Sequence, residues 1–149
     1  MKKIVFVCHG NICRSPMAEF VFQELARRRG VQAQFAVSSA ATTTDVLGED
    51  MHPGAKRKLR EQGIPFSPRA AVLLRRADYA AADLFIGMDH WNRQEMLAIF
   101  GGDAQGKVHL LLDFTPAPRD IDDPWYTGDF DASWRDICAG CTALLASLC

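Results

Sequence analysis

The sequence has 149 residues, of which 48% are hydrophobic and 23% are charged, so we predict a single globular domain over residues 1–149 with a full hydrophobic core. The formal net charge of −1 gives no support for nucleic acid or a membrane surface as a partner through overall charge. The apolar run of residues 4–7 is too short for a signal peptide, and no stretch has the length of a membrane span, so the expected location is the cytoplasm.

Strands and helices are predicted in alternation along the chain. Lys2–Cys8 is typical of a strand that is buried on both faces. Ser15 and Pro16 are typical of an N-cap and a first helical position, and apolar residues then recur at helical spacing until Gly30. The later predicted elements are a strand at Phe35–Ser38, helices at Pro53–Gln62 and Ala77–Ala82, a strand at Leu84–Met88, a helix at His90–Phe100, a strand at Val108–Leu112, a loop at Thr115–Asp129 and a final helix capped by Asp131.

The alternation predicts β-α-β units, and therefore a parallel sheet with helices on both faces. In such sheets, ligands bind beyond the carboxyl ends of the strands. The segment VCHGNICRSP, residues 7–16, lies at this position because it follows the first strand and precedes the first helix. Its polar groups would be costly to bury without partners, so we interpret the segment as a site.

Cys8 and Arg14 form a C-x5-R pair within this segment. Gly10 and Asn11 tolerate backbone conformations that turn successive N–H groups inward around an anion. Arg14 provides a planar fork that matches two phosphate oxygens, and the helix that follows adds positive potential. In these surroundings Cys8 is expected to be a nucleophilic thiolate. The alternative is a glycine-containing turn with a buried, inert cysteine.

A thiolate that attacks a phosphate ester also needs a group to protonate the leaving group. The candidates are the carboxyl groups of Asp120, Asp122 and Asp123 in the loop before the final helix. Trp125 and Tyr126 follow directly, and their aromatic faces are suited to line a cleft for a ring-bearing substrate. The alternative is an acidic turn without a catalytic role.

The segment CHGNICRSP at residues 8–16, together with DDPWY at residues 122–126, resembles the low-molecular-weight protein tyrosine phosphatases. The resemblance covers nearly the whole chain, with further similar residues at Ser39–Thr42, Gly63–Pro65, Met88, Asp89, Asn92, Cys138 and Cys141. It implies a three-layer α/β sandwich whose four-stranded parallel sheet has the flavodoxin-like order 2-1-3-4. It also implies hydrolysis of phosphotyrosine in proteins, without a metal or a cofactor.

The resemblance implies a role for each site residue. Cys8 would form a phosphocysteine intermediate, Arg14 would clamp the phosphate, and Asp123 would protonate the phenol oxygen and then activate water. The remaining implied residues are His9, Gly10, Asn11, Ile12, Cys13 and Ser15 in the phosphate-binding loop, Asp45, Trp125 and Tyr126 in the substrate cleft, and Ser39, Asp89 and Asp122 in support of them.

Two positions depart from the family pattern. Asp45 stands where many members have an aromatic cleft wall, and this change favours a basic residue next to the phosphotyrosine. Ser67, Pro68 and Arg69 follow Phe66 where members often have a histidine behind the loop, so the support of the loop must differ.

Three alternative functions remain open. Protein-arginine phosphatases of the same family have threonine at the position of Ile12, and the apolar Ile12 favours phosphotyrosine. Arsenate reductases share the C-x5-R loop but use further cysteines near the middle of the chain, where this sequence has none between Cys13 and Cys138. A non-catalytic phosphate-binding module would need neither Cys8 nor Asp123.

The remaining expectations concern the cysteines, tryptophans and partners. Cys13 is predicted to form a reversible disulfide with an oxidised Cys8, the alternative being that Cys13 is only a packed residue. Cys138 and Cys141 are predicted to pack in the core, as are Trp91 and Trp134, wholly or in part. The expected partners are phosphotyrosine-bearing proteins or peptides, with inorganic phosphate or vanadate as competing ligands, and the expected state is a monomer.

Overall fold

The architecture was described from a computed structural model, which covers all 149 residues. The elements in chain order are β1 (Lys2–Cys8), α1 (Arg14–Arg28), β2 (Phe35–Ala41), α2 (Pro53–Glu61), α3 (Asp78–Ala81), β3 (Leu84–Gly87), α4 (His90–Phe100), β4 (Val108–Leu110), α5 (Pro124–Thr127) and α6 (Phe130–Leu148), with 3₁₀ turns at Gln32–Gln34 and Leu111–Phe114.

The four strands form one parallel sheet in the order β2-β1-β3-β4, which confirms the predicted α/β class and strand order. At the carboxyl ends, Cys8 pairs with Ala41 and Val7 pairs with Gly87. Gly87 in turn pairs with Leu110 of β4. The segments that follow all four strands therefore leave the sheet at the same edge, where the topology of such sheets places a ligand.

Helices cover both faces of the sheet, and β1 shows how its residues are divided between them. Ile4 and Phe6 belong to the larger core, which they share with α1, α2 and α6. Val7 belongs to a smaller core with Phe85 and with Met96 of α4. Alternate residues of a strand point to opposite faces, so a strand with both faces covered is apolar throughout its centre.

The start of α1 differs from the prediction. The helix begins at Arg14, and its N-cap residue Cys13 makes no side-chain capping hydrogen bond. Ser15 was predicted to be the N-cap, which is wrong, because its hydroxyl lies 3.0 Å from Cys8 Sγ instead. The predicted end is confirmed, since Gly30 follows the helix with a φ of +77°, a conformation that glycine adopts easily.

Other boundaries also differ from the prediction. The predicted helices at Pro53–Gln62 and Ala77–Ala82 are shorter in the structure, at Pro53–Glu61 and Asp78–Ala81. β3 ends at Gly87 rather than Met88, because its pairing with β1 and β4 ends there. β2 extends to Ala41 because its pairing with β1 continues to Cys8. β4 ends at Leu110, where the chain turns into a 3₁₀ helix, and the predicted loop contains the short helix α5. Asp129, rather than Asp131, caps α6 by accepting a 2.9 Å hydrogen bond from the backbone N–H of Ala132.

The two cysteines of α6 that were predicted to pack in the core do so. Of the two tryptophans predicted to be at least partly buried, only one is. Cys141 is fully buried and Cys138 partly buried, and burial raises the pKa of the Cys138 thiol to about 11. Trp134 is buried, but Trp91 is 62% exposed, so the prediction that Trp91 is at least half-buried is wrong. None of the helices has both the length and the apolar composition that crossing a bilayer requires.

The packing of α6 on the turn after β4 gives a stability prediction. A Cβ atom added at Gly140 would lie 2.4 Å from Cγ of the fully buried Leu111. Gly140→Ala is therefore expected to lower the free energy of unfolding by about 1–3 kcal/mol, the usual cost of overpacking. Urea denaturation measures it, and the exposed Thr142→Ala on the same helix is the control, with a change of about 0.5 kcal/mol or less. A Gly140→Ala protein as stable as the wild type would contradict this packing.

Candidate active site

The loop between β1 and α1 depends on an unusual backbone conformation at Asn11. This residue has a φ of +60°, the only positive φ outside glycine in the chain, and it is fully buried. Asparagine tolerates this left-handed region better than most residues. The turn bends the chain so that the backbone N–H of Asn11 points back to Cys8 Sγ, at 3.3 Å.

The side-chain amide of Asn11 holds this turn against three other segments. Its Oδ1 accepts hydrogen bonds from the guanidinium of Arg69 and, at 3.2 Å, from the backbone N–H of Val72. Both partners are donors, so the oxygen must face them and Nδ2 must face the other side. There Nδ2 donates to Ser15 Oγ at 2.8 Å and to Ser39 Oγ at 2.9 Å.

This arrangement determines the direction of the hydrogen bond to Cys8. Because Ser15 Oγ accepts a hydrogen from Asn11, its own hydrogen is free to be donated to Cys8 Sγ, 3.0 Å away. The sulfur thus faces two donors, the Ser15 hydroxyl and the Asn11 N–H. Hydrogen-bond donors stabilise a charged acceptor more strongly than a neutral one, so both contacts would stabilise negative charge that develops on the sulfur.

Arg14 lies beneath the same loop and is 1% exposed. One terminal nitrogen donates to Asp89 Oδ2 at 2.6 Å and to the carbonyl of Ile121 at 2.8 Å. The other lies 3.4 Å from Asp123 Oδ2. Burial alone would lower the pKa of the guanidinium, but the negative charges of Cys8, Asp123 and Asp89 outweigh it and raise that pKa above its ordinary value.

One N–H of Arg14 has no partner. Its Nε is the only buried side-chain nitrogen or oxygen in the chain without a hydrogen bond. An unsatisfied buried donor costs about 1–3 kcal/mol, and more when the group is charged. An oxyanion in the loop would satisfy it, because guanidinium groups bind phosphate oxygens through paired N–H groups.

Asp123 is positioned by the short helix α5. Its Oδ1 accepts a 3.1 Å hydrogen bond from the backbone N–H of Trp125, and Pro124 occupies the first helical position. The other oxygen, Oδ2, faces Arg14. The side chain is 19% exposed, so the carboxyl group can reach a molecule in the cleft and still exchange protons with solvent.

The three residues predicted to line the substrate cleft do come together above Cys8. Asp45, Trp125 and Tyr126 all line the cleft that contains Cys8. Trp125 and Tyr126 are 56% and 76% exposed, which leaves their rings available to a ligand. Asp45 is already engaged, since its Oδ2 lies 2.7 Å from Nε2 of His9.

Of the predicted supporting residues, two contact the loop and one does not. Ser39 accepts from Asn11 and donates to Glu19 Oε1 at 2.6 Å, and Asp89 binds Arg14. Asp122 is exposed and lines neither the cleft nor the loop. Its carbonyl accepts a 3.0 Å hydrogen bond from Ser133 Oγ, so its backbone, not its carboxylate, has the structural role.

The sequence analysis missed Arg69 and Glu19. Arg69 occupies the place behind the loop for which no support was predicted, and Glu19 continues the network through Ser39. Burial raises the pKa of the Glu19 carboxyl, opposed by Ser39 and by Arg69. The only available signal was the absence of the expected histidine from the segment that contains Arg69.

Cys13 also lines the cleft, and it is buried. Burial raises the pKa of its thiol to about 12, with further increases from Cys8 and Asp123 and a smaller decrease from Arg14. Cys13 is therefore a neutral thiol at physiological pH. No group of three or more histidine, cysteine, aspartate or glutamate side chains converges as the ligands of a metal ion would.

Comparison with known sequences gives consistent matches along the chain. The family described as low molecular weight phosphotyrosine protein phosphatase matches residues 3–149. The low molecular weight protein-tyrosine-phosphatase YfkJ of Bacillus subtilis is 35% identical over 150 residues, which cover 99% of this chain and 96% of that protein. PtpA of Staphylococcus aureus is 32% identical over 146 residues, covering 97% and 92% of the two chains.

Solved structures agree with these matches. The crystal structure of B. subtilis YfkJ superposes with a TM-score of 0.96 and covers 99% of this chain and 94% of its own. SP-PTP of Streptococcus pyogenes has a TM-score of 0.90 at 31% identity, covering 100% and 94% of the two chains. A drosophila arginine phosphatase has a TM-score of 0.87 at 26% identity, covering 99% and 98%. The chain therefore belongs to the low molecular weight phosphotyrosine protein phosphatase family of enzymes.

Proposed function

We propose that the protein hydrolyses phosphotyrosine in proteins through a phosphocysteine intermediate. The observation that carries this proposal is the unpartnered buried Nε of Arg14, in a loop that also holds Cys8 Sγ and faces Asp123. A dianionic phosphate would accept from Arg14 and from the loop N–H groups. It would then present its phosphorus atom to the sulfur.

In the first step, the Cys8 thiolate attacks phosphorus and the bond between phosphorus and the phenol oxygen breaks. Asp123 gives its proton to the departing oxygen, so tyrosine leaves as a neutral phenol. Arg14 stabilises the charge on the equatorial oxygens. In this proposal the guanidinium and the backbone N–H groups supply the stabilisation that metal ions provide in other phosphoryl transfers.

In the second step, the Asp123 carboxylate takes a proton from a water molecule, which attacks the phosphocysteine. The sulfur–phosphorus bond breaks, inorganic phosphate forms, and Cys8 returns to the thiolate. The Ser15 hydroxyl, 3.0 Å from Cys8 Sγ, stabilises this leaving thiolate. The two steps balance, because the proton that Asp123 gives in the first is recovered in the second.

The walls of the cleft favour an aromatic substrate. Ile12 provides an apolar contact at its base, and Trp125 and Tyr126 provide aromatic faces at its rim. A phenol ring is stabilised by offset or edge contacts with such rings. Cys8 lines the same cleft as these rings, which supports a substrate whose phosphate is carried on an aromatic side chain.

A second candidate function is phosphoarginine hydrolysis, which is favoured by the similarity to the drosophila arginine phosphatase structure. A guanidinium group in the cleft would need a carboxylate partner. Asp45 is placed at the rim but is bound to His9, and Ile12 offers no polar contact. We therefore rank this activity below phosphotyrosine hydrolysis, and parallel assays with peptides containing each phosphorylated residue would compare them.

The proposed mechanism predicts the pH dependence of p-nitrophenyl phosphate hydrolysis without added metal. The wild type is expected to show a bell-shaped profile in the mildly acidic range, and Cys8→Ser is expected to have no turnover. Asp123→Asn should lower kcat by about 10²-fold or more and remove the alkaline limb, because no proton donor remains. Asp122→Asn should be close to wild type because that carboxylate is exposed and outside the cleft. A wild type that binds vanadate but never turns over would indicate a phosphate-binding module instead.

The loop network predicts an effect of Arg69, which contacts no substrate atom. Arg69→Ala removes the charged donor to Asn11 Oδ1, so kcat/KM is expected to fall about tenfold and the melting temperature by a few degrees. Arg69→Lys should recover part of the activity because it keeps the positive charge. The exposed Arg75→Ala is the matched control. Unchanged kcat/KM in Arg69→Ala would show that Val72 alone is enough to hold the asparagine.

The two thiols in the cleft predict a redox response. Hydrogen peroxide would convert the Cys8 thiolate to a sulfenic acid, and the Cys13 thiol would condense with it to a disulfide with loss of water. Activity is then expected to be lost with peroxide and recovered with dithiothreitol, and Cys13→Ser should recover less because its sulfenic acid oxidises further. Equal recovery in Cys13→Ser would show that Cys13 is only a packed residue.

A further inference from the structure

A second cleft opens beside the cleft above Cys8. The two share His9, Asp123 and Tyr126, so Tyr126 forms a wall of both. The second cleft is otherwise lined by Arg14 and by residues around the start of α4. Among the latter, Trp91 and Glu95 have no part in the proposed mechanism, in the binding of Arg14 or in the capping of α4. We call it the α4 cleft.

The α4 cleft carries an excess of negative charge. Its three carboxylates are Asp89, Asp123 and Glu95, and its only arginine is the buried Arg14. Asp89 and Asp123 face Arg14, but Glu95 has no cationic partner and accepts only a 3.0 Å hydrogen bond from the Thr42 hydroxyl. A phosphate in the neighbouring loop would add further negative charge.

The α4 cleft also has two large aromatic residues in contact with solvent. Trp91 is 62% exposed, although its ring lies 4.6 Å from the ring of His90, and Tyr126 is 76% exposed. Indole and phenol faces attract cations, and tryptophan does so most strongly. A cleft lined by an unpaired carboxylate and by exposed aromatic residues is therefore complementary to a long cationic side chain.

We propose that the α4 cleft binds a lysine or arginine side chain that flanks the phosphotyrosine in the protein substrate. This inference rests on the proposed function, because it assumes that the phosphotyrosine occupies the first cleft. The flanking cation forms an ion pair with Glu95 and lies against Trp91. Tyr126, which both clefts share, separates the phosphotyrosine ring from the cationic side chain.

From the sequence, a preference for a basic residue next to the phosphotyrosine was expected at Asp45. In the structure Asp45 is paired with His9, which lies between the two clefts as a residue of both. The unpaired carboxylate is Glu95, so the basic residue binds at α4 and not at the Asp45 side. An acidic neighbour in the substrate would be repelled both by Glu95 and by the bound phosphate.

The test compares phosphotyrosine peptides that differ only in carrying lysine, alanine or glutamate at one flanking position. For at least one position, kcat/KM of the wild type is expected to be about 10-fold higher for lysine than for glutamate at low ionic strength. Glu95→Gln keeps an acceptor for Thr42 and should reduce this ratio to about threefold or less. Trp91→Ala should lower kcat/KM for the lysine peptide more than for the alanine peptide. High salt should weaken the preference.

Hydrolysis of p-nitrophenyl phosphate, which has no flanking residue, reports the proposed function separately in every variant. Glu61→Gln, which changes an exposed carboxylate of α2 that lines neither cleft, is the matched control and should keep the wild-type ratio. Turnover of p-nitrophenyl phosphate with equal rates for the lysine and glutamate peptides would overturn the inference but not the proposed function. A lysine preference that survives both Glu95→Gln and Trp91→Ala would also overturn it, since the cation would then bind elsewhere.

Discussion

The site depends on the amide of one buried asparagine. Asn11 adopts a left-handed conformation that brings its N–H to Cys8, and its side chain connects the loop to Ser15, to Ser39 of β2 and to Arg69. Each of these hydrogen bonds compensates for the cost of burying a polar group, and together they offset the conformational strain of the turn. A loop held this way keeps its donors in place before a ligand arrives, which is the condition for strong electrostatic stabilisation of a transition state.

The buried charge of Arg14 is balanced by two carboxylates, Asp89 and Asp123. Asp89 and the carbonyl of Ile121 orient one end of the guanidinium, and Asp123 approaches the other. A buried cation needs such partners, because an uncompensated charge in the interior is strongly destabilising. Nε remains available for an oxyanion. In the proposed mechanism, the residues that hold Arg14 in the folded protein therefore orient its Nε toward the phosphate.

Recognition of a protein substrate would involve a wider surface than the loop. Exposed tryptophan and tyrosine side chains are concentrated at the two clefts: Trp125 lines the cleft above Cys8, Trp91 lines the α4 cleft, and Tyr126 lines both. In most of a protein surface such rings are scattered singly, and a group of them is typical of a binding surface. The pairing of Asp45 with His9 removes one carboxylate from this surface, whereas Glu95 keeps its charge uncompensated.

The sequence alone determined the α/β class, because the spacing of apolar residues along each segment distinguishes strands from helices. It also predicted the place of the site, because the composition of the loop after the first strand is a local property of the chain. Cys8 and Arg14 could be assigned to the same site from their spacing, since they lie at the two ends of one short loop. The supporting residues could not be derived in the same way. Arg69 reaches Asn11 across 58 positions of sequence, and only the folded chain shows which distant donor meets a given acceptor. Ser15 illustrates the limit most clearly. Its position predicts a helix cap, but α1 already begins at Arg14, and the fold places the Ser15 hydroxyl between Asn11 Nδ2, from which it accepts, and Cys8 Sγ.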